Sequence, residues 1–157
     1  MSNTMRWRYG DTTPVQLPVD SATVIEIGDM VYLDTDDAKP AGSQADQGTK
    51  NSNQQLFHDV FAGVAMQASR SGDTQPIRVA TTGVFEFDCV STTLEVGDII
   101  GPDENVAGTA LLNGTVIKVS NANAAIGRCA KRLNPAGTRC LVDVVSSTLK
   151  GGAQAVL

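Results

Sequence analysis

Apolar residues in this chain alternate in short runs rather than recurring every three or four positions. VIEIGDMVYL (24–33) places apolar side chains at every second position around a Gly-Asp pair, the pattern of two half-buried strands joined by a turn or bulge. LFHDVFAGVAMQAS (56–69), IRVATTGVFEFDC (77–89), TLEVGDIIG (93–101), LLNGTVIKV (111–119) and TRCLVDVV (138–145) read the same way, each bounded by Gly, Asp, Asn or Pro. Turns are expected at Gly72-Asp73, at Asn113-Gly114, and at Asn134-Pro135-Ala136-Gly137 between AIGRCAKRL and the last run. No stretch carries a helical apolar stripe, and the Ala-rich piece 121–125 is long enough for one turn only. Residues 38–55, AKPAGSQADQGTKNSNQQ, contain no Val, Ile, Leu or aromatic residue and read as a mobile polar surface loop or insertion. Residues 1–20 carry Pro14 and Pro18 without helical period and read as an extended N-terminal arm. The Gly-rich end, residues 151–157, reads as a flexible tail, leaving 21–150 as a single β domain.

The chain also echoes itself. Ile25-Glu26-Ile27-Gly28-Asp29-Met30-Val31 matches Leu94-Glu95-Val96-Gly97-Asp98-Ile99-Ile100 at a spacing of 69, and Phe61-Ala62-Gly63-Val64-Ala65 matches Ala125-Ile126-Gly127-Arg128-Cys129 at 64. An acidic turn follows each Gly-Asp pair, Asp34 to Asp37 in one and Asp103-Glu104 in the other. This order fits an internal two-fold repeat of one β unit, with Gly supplying positive φ and Asp bonding the turn's own amides. Two copies are too few for a solenoid, so one compact barrel or sandwich is expected from both.

Composition agrees: 17 Val, 15 Thr and 7 Ile against 10 Leu favour strands. Among 157 residues, 12 basic and 17 acidic side chains give a net charge of −5, which argues against wholesale nucleic-acid binding. Residues 1–20 have no secretory h-region, no run reaches the roughly 18 apolar residues of a membrane span, and neither nucleic acid nor membrane is expected as a partner. Cys89, Cys129 and Cys140 lack CxxC spacing and read as small buried hydrophobes in a reducing cytoplasm.

No catalytic, metal or cofactor-binding constellation emerges. His58, the only histidine, sits in FHDVF beside Asp59 with no GxSxG elbow or paired-Cys motif; Walker A, GxGxxG and HExxH patterns are missing. Asp34, Asp36 and Asp37 lack the glycine and glutamate of a calcium loop and read as a solvated turn. Asn113-Gly114-Thr115 matches a glycosylation sequon, but the turn reading is preferred. The most concentrated chemistry is Arg6, Trp7, Arg8 and Tyr9: cations and aromatics of the kind that anchor protein interfaces, pack on the chain's own barrel, or stack on single-stranded nucleic acid. Gly28, Asp29, Gly72, Asp73, Gly97, Asp98 and Gly137 are assigned to structural turns.

FAGVAMQASRSGDTQPIRVATTGVFEFDC (61–89), then LEVGDIIGPDEN (94–105), then AIGRCAKRLNPAGTRCLVDVVSS (125–147) resemble, in this order, the small capsid decoration (cement) proteins of tailed bacteriophages. The resemblance covers more than half the chain. It implies a mainly β, compact β-barrel or β-tulip-like domain without enzymatic activity or cofactor. It also implies a homotrimer, made in the host bacterial cytoplasm, on the outer surface of the expanded phage head. There the trimer would staple neighbouring subunits of the major capsid protein against internal DNA pressure, with the arm reaching a neighbour or the capsid. The polar segment 38–55 and the Gly-rich tail depart from shorter members. A tail or baseplate β protein is the alternative, and a small β-barrel ligand-binding module or enzyme using His58, Asp59 and the acidic turn is the remaining one.

Overall fold

The structure, a computed structural model, describes residues 3–154. It is mainly β, with 45% strand and 14% helix, and contains a closed five-stranded barrel. In chain order the elements are β1 (Trp7–Tyr9), β2 (Val15–Leu17), β3 (Met30–Asp34), β4 (Asp37–Pro40), α1 (Lys50–Val60), β5 (Phe61–Ala65) and β6 (Ile77–Ala80). Then come β7 (Thr82–Leu94), β8 (Ile99–Glu104), β9 (Leu111–Lys118), β10 (Gly127–Cys129), β11 (Leu133–Val145) and α2 (Ser147–Lys150). One-turn 3-10 helices at Ala41–Ser43 and Ala122–Ala124 follow the third strand of each five-stranded half.

The second half forms the barrel. Its strands run β7-β11-β10-β8-β9, and a parallel pairing of Asp88 with Thr115 and Cys89 with Val116 closes β9 onto β7, leaving no unpaired flank between them. The first half repeats that order as β2-β6-β5-β3-β4. Its remaining gap is crossed where the Ala38 amide donates to the Pro18 carbonyl at 2.9 Å. Register confirms the repeat: Val31 faces Gly63 on β3–β5, and Ile100 faces Gly127 on β8–β10, spacings of 69 and 64 residues. Both glycines are required by close approach. A Cβ on Gly63 would lie 1.9 Å from the Ala80 carbonyl oxygen, and one on Gly127 would lie 2.1 Å from that of Asp143. Each half is thus one strand, a hairpin, a helical segment and two further strands, so the sequence echo is a tandem duplication of a five-stranded unit rather than one barrel shared by both copies.

The Gly-Asp turns are also superposable. Gly28 and Gly97 adopt φ of +94° and +93°, a region that costs a residue with Cβ. Asp29 Oδ2 accepts the Glu26 amide and Asp98 Oδ2 accepts the Glu95 amide, both at 2.9 Å. The Gly28 amide donates to Ala65 O and the Gly97 amide to Cys129 O, at 2.8 and 2.9 Å. Gly72-Asp73 closes a third turn of this kind, with Gly72 at φ +94° and the Arg70 amide donating to Asp73 Oδ2 at 3.3 Å.

β6 passes into β7 through the single residue Thr81, fully buried, whose amide donates to Thr12 O at 2.9 Å, whose carbonyl accepts from the Ser146 amide at 2.8 Å, and whose hydroxyl donates to Thr13 O at 2.7 Å. A continuous apolar cluster crosses this joint, from Met30, Phe57, Phe61 and Val64 to Phe85, Phe87, Ile100, Ile126 and Val142. A second cluster, with Leu17, Ile25, Val31, Ala62, Ile77 and Val79, covers the other face of the first sheet, which explains its nearly uninterrupted apolar strands.

Several expectations are corrected. Residues 38–55 are no mobile loop: β4, a 3-10 turn and the start of α1 occupy them, and Ala38, Ala41, Asn53 and Gln54 are buried. Thr49 caps α1 by accepting the Ser52 amide at 3.1 Å. What anchors the segment is polar. Asn53 donates to Asp46 Oδ1 at 3.1 Å and to Glu104 Oε2 at 2.9 Å and accepts the Gln47 amide at 2.7 Å, while Gln54 donates to Pro102 O at 2.8 Å. Satisfied amides replace an apolar stripe, so hydrophobic periodicity could not reveal the helix, and residues 56–60, expected as strand, are helical too. Asn134 to Gly137 lie inside β11 at a register irregularity opposite β7, so Gly137 is not a turn. Asn113 and Gly114 lie inside β9. The extended arm is laid into the sheets, β1 on β7 and β2 on β6, as strands with a single neighbour, where proline is tolerated. Of the expected tail, Gly151 ends α2 at φ +86°, Gly152 is buried with its amide donating to Ser146 O at 2.9 Å, and residues 155–157 lie outside the described residues.

Candidate interaction surface

The arginine-aromatic cluster divides. Arg6 points inward: it is 5% exposed, with Nη1 donating to Glu86 O at 3.2 Å, Nη2 3.7 Å from Asp88 Oδ2, and the guanidinium carbon 5.6 Å from the centre of the Phe87 ring. The guanidinium packs against the bare backbone of Gly114, and its stem crosses Gly28, so Arg6 ties both halves together. Trp7, Arg8 and Tyr9 face out. Trp7 and Tyr9 are 41% and 52% exposed, with Met5 beside them at 45%. Trp7 Nε1 donates to Gly10 O at 3.0 Å, fixing the ring. β1 is the terminal strand of the six-stranded sheet, and on its outward flank Arg8 Nη1 donates to the Met5 and Trp7 carbonyls at 3.2 and 3.1 Å, so the strip presents its aromatic side chains rather than unpaired carbonyls.

Behind the strip lies a ladder of charge. Arg8 reaches Glu86 at 3.3 Å, Arg139 reaches Glu86 at 3.7 Å and Asp88 at 3.8 Å, and Arg6 shares Asp88. These partly exposed pairs orient side chains more than they stabilise the fold.

Other sequence candidates are dispersed. His58 Nδ1 bonds the Ala125 carbonyl at 2.7 Å and links α1 to the 3-10 turn of the second half, while Asp59 is exposed. Asp34 pairs with Lys39 at 2.7 Å, and Asp37 is shifted upward by its hydrogen bond to the Asp20 carboxyl. The three cysteines are free thiols inside the barrel, and burial raises all of them, Cys140 most, which makes them poor nucleophiles. Among the described residues, no group of three His, Cys, Asp or Glu side chains is placed to hold a metal ion, and no helix is long and apolar enough to cross a membrane.

Two cavities flank the repeated Gly-Asp turns. One of about 420 Å³ lies between the halves, lined by Glu26, Asp29, Asn113, Gly114 and Thr115. Asp29 is 6% exposed there, and burial lifts its carboxyl to about 6 despite the Glu26 amide and Arg6. The larger, about 720 Å³, is lined by Gly97, Asp98, Ile99, Lys118, Asn121 and Arg128. Sequence reading found neither Arg6's inward turn nor this cavity; the paired Gly-Asp turns were the signal that marked both places. Compared with known proteins, the chain matches no protein-family model and no curated sequence.

Proposed function

We propose that this chain is a structural virion protein, a decoration protein that binds the outside of the expanded phage head as a homotrimer and clamps neighbouring subunits of the major capsid protein. The observation that carries the reading is the β1 strip: Met5, Trp7 and Tyr9 exposed together on a terminal strand whose position is fixed from below by Arg6. Large rigid aromatics exposed on a terminal strand are what a protein interface needs, because they bury much area at little entropic cost. The resemblance supplies the identity of the partner. In this reading the strip grips the shell while attached to the fold, and three copies per trimer multiply a modest contact through avidity. Outward pressure from packaged DNA is then opposed by many such contacts.

The test is rebinding. Purified chain should sediment as a trimer and reattach to expanded heads stripped of it, and a Trp7→Ala/Tyr9→Ala double variant with unchanged melting should lose most attachment. A monomer with no affinity for heads would refute the reading, and decoration of tails in particle images would move the chain to the tail instead.

A further inference from the structure

The two halves are built alike, yet their Gly-Asp turns are treated differently. In the first half the turn is covered by the chain's own residues 3–6. The Thr4 amide donates to Ile27 O at 2.8 Å, the Ile27 amide donates to Asn3 Oδ1 at 3.3 Å, and the Thr4 carbonyl lies 2.2 Å from where a Cβ on Gly28 would stand. The absence of a side chain at Gly28 is what admits that strand. In the second half the same backbone is bare. Nothing lies within 4 Å of a Cβ built on Gly97, Val96 is 67% exposed, and among the described residues neither the Val96 amide nor its carbonyl has a hydrogen-bond partner. The turn opens onto the 720 Å³ cavity. Gly72, equally bare, has no covered counterpart and lines none of the cavities described above.

We propose that the Gly97 turn is a docking site for an extended segment of a partner protein that presents an Asn-Thr-like pair, held by its main chain as Asn3 and Thr4 are held at the Gly28 turn. An incoming amide would donate to Val96 O and an Asn-type side chain would accept from the Val96 amide, one edge strand read by main-chain bonds. The cation is already in place. Lys118 meets Asp98 at 3.4 Å, as Arg6 faces Asp29 in the first half, so the partner segment need not bring an arginine. Arg128 of β10 donates to Gly97 O at 2.8 Å and fixes the turn to that strand. The site is separate from β1, and its test reads neither heads nor oligomeric state.

The probe is a synthetic peptide of residues 2–8, Ser-Asn-Thr-Met-Arg-Trp-Arg, titrated into the isotope-labelled full chain while amide resonances are followed. Saturable shifts are expected at Val96, Gly97, Asp98 and Lys118. N-methylation of the peptide at Thr4 should weaken binding roughly tenfold, the size of one lost main-chain bond, and its Arg6→Ala form should bind as the parent does. Gly97→Ala should abolish the shifts by filling the space the segment's main chain needs. Gly72→Ala, which carries the same backbone cost in an equally open turn, should leave them intact. Absence of saturable shifts, equal binding of the N-methylated peptide, or shifts at Gly28 in place of Gly97 would each overturn the proposal, and the first two need no variant to fold.

Discussion

Arg6 Nη2 occupies the space that a side chain on Gly114 would need: a Cβ there would come within 2.4 Å of it. Gly114→Ala should therefore push a buried guanidinium off Asp88 and lower stability by about 1–3 kcal/mol, the usual range for overpacking a filled site. Thermal melting checks this, and an unchanged midpoint would show that Arg6 moves aside freely.

Truncating Arg6 tests the same tie from the other side. Arg6→Ala removes a packed stem that touches Gly28 and the Phe87 ring as well as a charge beside Asp88, and a loss of about 2–4 kcal/mol is expected. Trp7→Ala and Tyr9→Ala, both on the exposed side of β1, should each stay within about 1 kcal/mol. Equal losses at all three positions, measured by urea unfolding, would contradict the inward and outward division.

Asp29 gives stability a pH signature. Its folded-state value of about 6 lies above the ordinary 3.8, so the folded chain holds a proton that the unfolded chain releases. Its contribution is full below 3.8 and is lost as pH rises through about 6. Asp29→Asn keeps an acceptor for the Glu26 amide without a charge. Relative to the parent, the variant should gain stability as pH rises from 3.8 through about 6, the window set by that shift. Denaturant midpoints at the two ends of that range decide it, and a constant difference would remove Asp29 as the cause.

The duplication predicts paired sensitivity. Gly63→Ala and Gly127→Ala each drive a Cβ into a neighbouring carbonyl oxygen, at 1.9 and 2.1 Å, and neither backbone has a flexible side chain to give way. Both should cost roughly 3 kcal/mol or more, among the larger single-residue losses. Hydrogen exchange should show the damage spreading into the opposite half through the shared Phe57, Phe61, Phe85 and Phe87 cluster.

Strands β3, β5 to β8 and β10, the later part of β11 and the repeat were legible because alternation and Gly-Asp punctuation are local signals, and the spacings of 69 and 64 reappear as strand register. Helix α1 was not, because Asn53 and Gln54 are buried by amide hydrogen bonds to nearby Asp46 and to Glu104 and Pro102, the last two 51 and 48 residues away, which no apolar period encodes. Asn113-Gly114 and Asn134-Pro135 looked like turns for the opposite reason: their turn chemistry is overridden by the sheet, where Gly114 makes room for Arg6 and Asn113 Oδ1 accepts the Gly42 amide at 2.7 Å. The basic-aromatic cluster was found, but which arginine faces inward depends on β1 pairing with β7, a contact across some 80 residues that sequence spacing does not carry.

Thr81 is one residue long, fully buried, and bonded on three sides. A joint of that kind has no slack. A pull applied to either half would pass to the other through both the covalent chain and the close-packed rings beside it, so the two repeats should unfold together rather than one at a time.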